Sequence, residues 1–262
     1  MRILITNDDG IMAPGLLTAE AIAAELAGPE GEVWVVAPAF EQSGVSHCVS
    51  YTKPMRLEQL GLRRFAVEGS PADCILAGIF EILKSSPPDL ILSGVNKGHN
   101  VAQDTVYSGT IGGAMEGALH GFKSIAMSQY YGPDNYREPD PFEAARTNGA
   151  AVIRSIIDGA DWSSESYAPF YNVNFPPVPA TLVQGVKATV QGARQKATFS
   201  IEPQQAPNGR NYLWLGHAKG NGSCASGTDA REAMEGWITV TPLHADMTNH
   251  AALAGLNGVF SK

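Results

Sequence analysis

The sequence predicts an α/β fold: a Rossmann-like, doubly wound, mostly parallel sheet followed by a β-rich C-terminal extension. Three observations predict it. Short, wholly apolar runs such as Ile3–Leu4–Ile5, Val33–Trp34–Val35–Val36 and Leu90–Ile91–Leu92 have the composition of strands buried on both faces. Segments with apolar residues at helical spacing separate these runs as far as Phe175. Strands alternating with helices wind a parallel sheet with helices on both faces. From Pro177 onward the pattern changes to strand-like pieces, which make the extension.

The first strand leads through a loop holding Pro14 and Gly15 into a helix over 16–26, where Leu16, Leu17, Ala19, Ile22, Ala23 and Leu26 recur at helical spacing. The second strand, 33–36, ends at Ala37–Pro38, and 48–57 and 63–67 alternate like pieces of a hairpin insertion. Ser70–Pro71–Ala72–Asp73 starts a helix, with Ser as N-cap, Pro in the first turn and an acid reaching back. That helix is expected to run through Leu83 and stop at Pro87–Pro88. After the 90–92 strand come a long polar loop, a Gly- and Ala-rich helix over 109–119, a strand at 124–127, a helix over 142–157 and a strand at 170–175. The extension carries strand-like pieces at 182–190, 211–215 and 237–240 and one short helix at 228–235.

Composition narrows the function. The 262 residues are 44% hydrophobic, enough for a large core, and carry 18 basic against 26 acidic residues for a net charge of −8. That balance argues against gripping nucleic acid or anionic lipid through bulk charge. No run approaches the ~18 apolar residues of a membrane span, so no membrane partner is expected. Three scattered cysteines (Cys48, Cys74, Cys224) suit neither a disulfide framework nor a zinc site. With no signal-peptide pattern at Met1–Asp9, the expected location is cytoplasmic.

Ligands of an open parallel sheet bind beyond the carboxyl ends of its strands. Three loops there offer oxygen donors: Asn7–Asp8–Asp9–Gly10, then Glu41–Gln42–Ser43–Gly44, then Ser93–Gly94–Val95–Asn96–Lys97–Gly98 with Asn100 and Asp104. Such a set suits a hard cation, Mg²⁺ or Mn²⁺, and adjacent carboxylates call for one to offset their repulsion. Tyr107–Ser108–Gly109–Thr110 begins a helix stripped of bulk, either an anion site at a helix N-terminus or tight helix–sheet packing. No Gly–Lys–Ser/Thr closes it and no G-x-G-x-x-G follows the first strand, which excludes a P-loop and disfavours a dinucleotide fold. His120, His217, His244 and His250 read as structural or surface residues. Tyr130, Tyr131 and Tyr136 read as a loop packed on its own domain, with a base-binding pocket as the alternative.

These motifs, with Asn172–Val173–Asn174–Phe175–Pro176, Thr228–Asp229 and Thr239–Val240–Thr241–Pro242–Leu243, resemble the SurE (survival protein E) family over nearly the whole chain. The resemblance implies a metal-dependent phosphatase of nucleoside 5′-monophosphates, with side activity on 3′-nucleotides and polyphosphate. It places one divalent cation per subunit on Asp8, Asp9, Ser43 and Asn96. Substrate contacts are expected from Asn7, Gly44, Asn96, Ser108, Gly109 and Thr110. Asp8 and Asp9 are the catalytic candidates, as nucleophile or general base. The family also implies a homodimer or homotetramer whose C-terminal arms exchange. Ala39–Phe40, Ala102 and Cys48 depart from the family's usual residues without removing a ligand. The expected organisation is a metal- and phosphate-binding core over 1–177 and an extension over 178–262 packed on it as a single domain. The rival from another class is a metal- and nucleotide-binding stress sensor without catalysis. A haloacid-dehalogenase-type phosphatase would need Asp-x-Asp, and here the acids are adjacent.

Overall fold

The computed structural model describes residues 1–132, 135–163, 166–194, 199–217 and 224–260. The core elements are β1 (Arg2–Thr6), α1 (Pro14–Ala27), β2 (Glu32–Pro38), β3 (Leu57–Gly61), β4 (Arg64–Val67), α2 (Pro71–Ala77) and β5 (Leu90–Lys97). They continue with α3 (Asp104–Tyr107), α4 (Gly109–Leu119), β6 (Ser124–Gln129), α5 (Glu143–Gly159) and β7 (Phe170–Phe175). Beyond these lie β8 (Val186–Ala188), β9 (Phe199–Gln205), β10 (Asn211–His217), α6 (Asp229–Met234), β11 (Ile238–Leu243) and α7 (His250–Phe260). Nine strands form one sheet in the order β3-β4-β2-β1-β5-β6-β7-β11-β8, and β9 and β10 form a separate hairpin. Among the described residues, the β3–β4 and β7–β11 pairs of the large sheet are antiparallel and its other pairs are parallel. The mostly parallel α/β sheet is therefore as the apolar runs predict, and residues beyond 177 add β8 and β11 to it.

Burial on both faces follows from the alternation of each strand. Ile3 and Ile5 pack with Leu16 and Ile22 of α1 and Ile153 of α5. Leu4 points the other way, with Val36, Ile91, Cys74 and Ile75 of the α2 side. Helix α4 sets Ile111, Ala114 and Ala118 against Ala126 and Phe170. The reciprocal cap of α2 is present: Asp73 N–H donates to Ser70 Oγ at 3.1 Å and Ser70 N–H to Asp73 Oδ2 at 2.9 Å. Asp73 Oδ1 also accepts from Ser50 N–H at 2.9 Å, so the cap anchors the preceding loop.

Several boundaries differ from those the sequence predicts. The 71–83 helix is α-helical only to Ala77 and continues as a π-helical turn, Gly78–Ile82. There Gly78 lies so close to β1 that a Cβ would meet Leu4 Cδ2 at 2.7 Å. Residues 48–56 form no strand; β3 and β4 make the hairpin, and β4 extends the main sheet parallel to β2. The piece expected over 182–190 contracts to β8. β9 escapes detection by apolar runs because its Glu202, Gln204 and Gln205 are exposed and Pro203 interrupts it. α7 lies wholly outside the expected elements.

Most consequential is β5, which does not end at Leu92 but runs to Lys97. Its register against β6 shifts between Ser93 and Asn96, at Gly94 with φ +135°. A glycine bulge of this kind keeps the chain in the sheet while re-aiming the side chains beyond it. Asn96 thus sits near the end of a strand rather than on a long loop. Helix α1 presses on this bulge: a Cβ on Gly15 would fall 1.9 Å from Val95 O. We expect Gly15→Ala to cost about 1–3 kcal/mol through overpacking, read as a lower urea midpoint at unchanged m.

Candidate active site at the carboxyl edge of the sheet

The turn after β1 is closed from within and clamped from outside. Asn7 Nδ2 donates to Gly10 O at 2.9 Å, and Gly10 takes φ +98° to reverse the chain. Ile11 N–H reaches Pro38 O at 2.8 Å and Gln42 N–H reaches Asp8 O at 2.7 Å, so the loop after β2 grips the loop after β1. Ser46 N–H donates to Tyr107 O at 2.9 Å, tying that second loop to the approach to α4. The third loop joins through Lys97 N–H, which donates to Asp9 Oδ2 at 2.9 Å.

Asp8 is buried, with 4% exposure, against the N-terminus of α4. Thr110 Oγ1 donates to Asp8 Oδ1 at 2.7 Å. The helix can come this close because residue 109 is glycine: a Cβ there would stand 2.9 Å from Asp8 Cβ. Ser108 caps the helix, its Oγ accepting from Ile111 N–H at 3.1 Å. Both hydroxyls of the 108–110 segment therefore act on Asp8 and on the helix end, alongside the positive end of the helix dipole.

Burial pushes the Asp8 carboxyl up to about 6, with the Thr110 hydroxyl opposing and the Asp9 charge adding to the rise. Asp9 is raised too, by burial first, against the Lys97 N–H and with repulsion from Glu41. Two adjacent acids beside a third, in a partly dry setting, are only partly offset by the Lys97 charge, since Asp9 remains raised. Asn7 Oδ1 is buried without a hydrogen-bond partner. Asn96 Nδ2 donates to Gly98 O at 2.9 Å, which leaves the lone pairs of Oδ1 to offer a cation. Ser43 Oγ donates to Glu41 Oε1 at 2.8 Å and keeps its lone pairs. All these atoms are oxygens, which fits a hard divalent cation. Among the described residues no three His, Cys, Asp or Glu side chains could hold a metal by themselves, so neutral donors such as Ser43 and Asn96 are needed to complete a set. Gly44 takes φ +75° with open space around it.

Two charged residues of the same segments, Glu41 and Lys97, stand outside the nominated ligands yet set the charge around Asp9. Of the buried asparagines, Asn100 is among the oxygen donors the sequence offers, while Asn172 and Asn174 enter only through the family resemblance. Asn100 N–H donates to Asn174 Oδ1 at 2.8 Å, Asn100 Nδ2 to Ser128 Oγ at 2.8 Å, and Asn172 Nδ2 to Asn100 O at 2.7 Å. Their signal was present: Asn172 and Asn174 recur at strand period on one face of an otherwise apolar strand. Next along, burial works against ionising Asp104, but hydrogen bonds from His99 and Arg194 hold it below the usual carboxylate range. His120 bonds Glu116 at 2.9 Å and His250 bonds Asp246 at 2.6 Å, local roles as expected; the side chain of His217 lies outside the described residues. Tyr130 stacks on His99 with centroids 4.1 Å apart. Tyr131 instead lines a cavity of about 870 Å³ that opens onto Asp9, Glu41 and Lys97.

Residues 3–198 match the family described as Survival protein SurE. A 5'-nucleotidase SurE from Ruegeria pomeroyi is 56% identical over 256 residues, 98% of each chain. Another from Roseobacter denitrificans is 56% identical over 259 residues, 99% of each chain. The crystal structure of the SurE protein from Aquifex aeolicus matches this fold with a TM-score of 0.80 at 32% identity, covering 99% of both chains.

Proposed function

Because the chain belongs to the Survival protein SurE family, we propose that it is a divalent-metal-dependent 5′-nucleotidase, hydrolysing nucleoside 5′-monophosphates to nucleoside and phosphate. The observation that carries this reading is the convergence of the start of α4, the loop after β2 and the end of β5 on the Asp8–Asp9 turn, through Thr110 Oγ1, Gln42 N–H and Lys97 N–H. Asp8, Asp9, Ser43 and Asn96 would hold one Mg²⁺ or Mn²⁺. When bound, the ion supplies charge to a phosphoryl oxygen and acidifies water. Asp9, which borders the cavity, meets substrate as nucleophile or as general base; Asp8, fixed from behind by Thr110, stays a ligand and orients its neighbour. Asn7, Gly44, Asn96, Ser108, Gly109 and Thr110 would contact the phosphate, and fixed dipoles aimed at its oxygens as they gather charge would favour the transition state. Trapping a phospho-enzyme identifies the nucleophile. The test of the whole reading is phosphate release from AMP, GMP, a 3′-nucleotide and polyphosphate with Mg²⁺, Mn²⁺ or chelator. Binding of AMP without phosphate release under every ion would favour the sensor.

We further propose a homodimer or homotetramer with exchanged C-terminal arms. The β9–β10 hairpin leaves Ile201, Leu213, Trp214 and Leu215 between 59% and 67% exposed on a two-stranded ribbon, which alone is marginal in water. A second copy of the chain would cover them. Trp214→Glu is expected to lower the mass measured by light scattering to that of a smaller assembly; an unchanged mass sets this arm aside. No helix among the described residues is long and apolar enough to cross a membrane, and Cys48 and Cys74 carry free thiols. A cytoplasmic location fits both and is checked by cell fractionation.

A further inference from the structure

The cavity of about 870 Å³ beside Asp9 falls within the roughly 300–1,000 Å³ of small-molecule sites, and a phosphate group fills only a small part of it. Its lining is mixed, with apolar side chains at one part and Lys97, Arg146 and the acids at another. Met12 and Leu17 stand 84% and 58% exposed on one side. Tyr131 stands on the cavity wall, its ring fixed edge-to-face by the buried Phe142 at 5.7 Å. Lys97 Nζ lies 5.4 Å from the centroid of the same ring. Arg146 holds Asp140 through Nε at 2.8 Å and Nη2 at 3.3 Å, so Nη1 is its free donor among the described hydrogen bonds. The wall is preformed: Pro14 starts α1, and Gly15 packs directly on the β5 backbone.

We propose that this cavity seats the nucleoside half of a 5′-nucleoside monophosphate, with the base against Met12, Leu17 and Tyr131 and within reach of Arg146. The choice of ligand rests on the 5′-nucleotidase reading. It makes Tyr131 and Met12 specificity-determining residues, acting on what the phosphate carries rather than on phosphate transfer.

Two measurements on the full chain test it: calorimetric titration with adenosine, and the ratio of kcat/KM for AMP to that for ribose 5-phosphate in Mn²⁺. In both Tyr131→Ala and Met12→Asp, adenosine binding is expected to weaken about tenfold, the size of one lost stacking contact. The AMP to ribose 5-phosphate ratio is expected to fall about tenfold, mainly through KM. Met12 is a surface residue, so its variant keeps the test open if Tyr131→Ala fails to fold. Unchanged adenosine affinity in both variants, or no adenosine heat from the unaltered protein at millimolar ligand, overturns the proposal. An unchanged ratio does the same while leaving the phosphatase reading intact. Should the unaltered protein hydrolyse neither ester, it is the 5′-nucleotidase reading that fails, and the adenosine titration alone decides the cavity.

Discussion

Asp9→Asn is expected to lower kcat/KM for AMP by about 10³-fold or more, while the variant melts no lower than the unaltered protein. Loss of one preorganised electrostatic group costs about 10²–10³, and Asp9 is proposed both to hold the ion and to meet the substrate. Stability moves the other way. Asp9 is raised by burial and by repulsion from Glu41, so the charge works against the metal-free fold. An amide keeps an oxygen to accept the Lys97 N–H and removes the repulsion. A variant that folds well and does not turn over thus separates function from structure. Turnover within a few-fold of normal would remove Asp9 from the mechanism. A fall in melting temperature would mean that its negative charge supports the fold.

The second large effect comes from removing the ion. Chelation at pH 7.5 is expected to abolish phosphate release, at least 100-fold, with recovery on adding Mn²⁺ or Mg²⁺. Asp8 sets how this depends on pH. Its folded value of about 6 lies above its ordinary 3.8. The neutral carboxyl therefore favours the metal-free fold fully below about 4, and that contribution is lost as pH rises through 6. A cation must displace this proton, so its affinity falls as pH drops below 6. Thermal stabilisation by Mn²⁺ should be larger at pH 7.5 than at pH 5.0. Equal shifts at the two values would mean that Asp8 is not a ligand, and activity untouched by chelator would refute the metal requirement.

Much of this architecture was legible because buried parallel strands are chemically plain. Ile3–Leu4–Ile5 and Leu90–Ile91–Leu92 can be little else, and Ser70–Pro71–Ala72–Asp73 announces its helix by capping chemistry that the structure reproduces. Strands whose residues lack that apolar signature were shortened or missed. β5 continues through Ser93–Gly94 because its neighbours cover polar side chains, which no local pattern reveals. β9 is two-sided and exposed, so it has no buried face to imprint a period. In the site, a rule of topology singles out the segments that follow separate strands, and the resemblance to the SurE family narrows them to Asp8, Asp9, Ser43 and Asn96. Glu41 and Lys97 act through proximity, which only the assembled loops reveal. Asn172 and Asn174 showed their period in the sequence, but their partner Asn100 lies more than seventy positions away.

The hydrogen bond from Thr110 to Asp8 spans 102 positions of the chain, and this has a kinetic meaning. Contacts of such separation are slow to form, because loop closure precedes any reward. Acid and hydroxyl meet only once the strands between them have docked. Ion binding should therefore emerge with the last phase of refolding, and a nascent polypeptide ending before α4 should bind none.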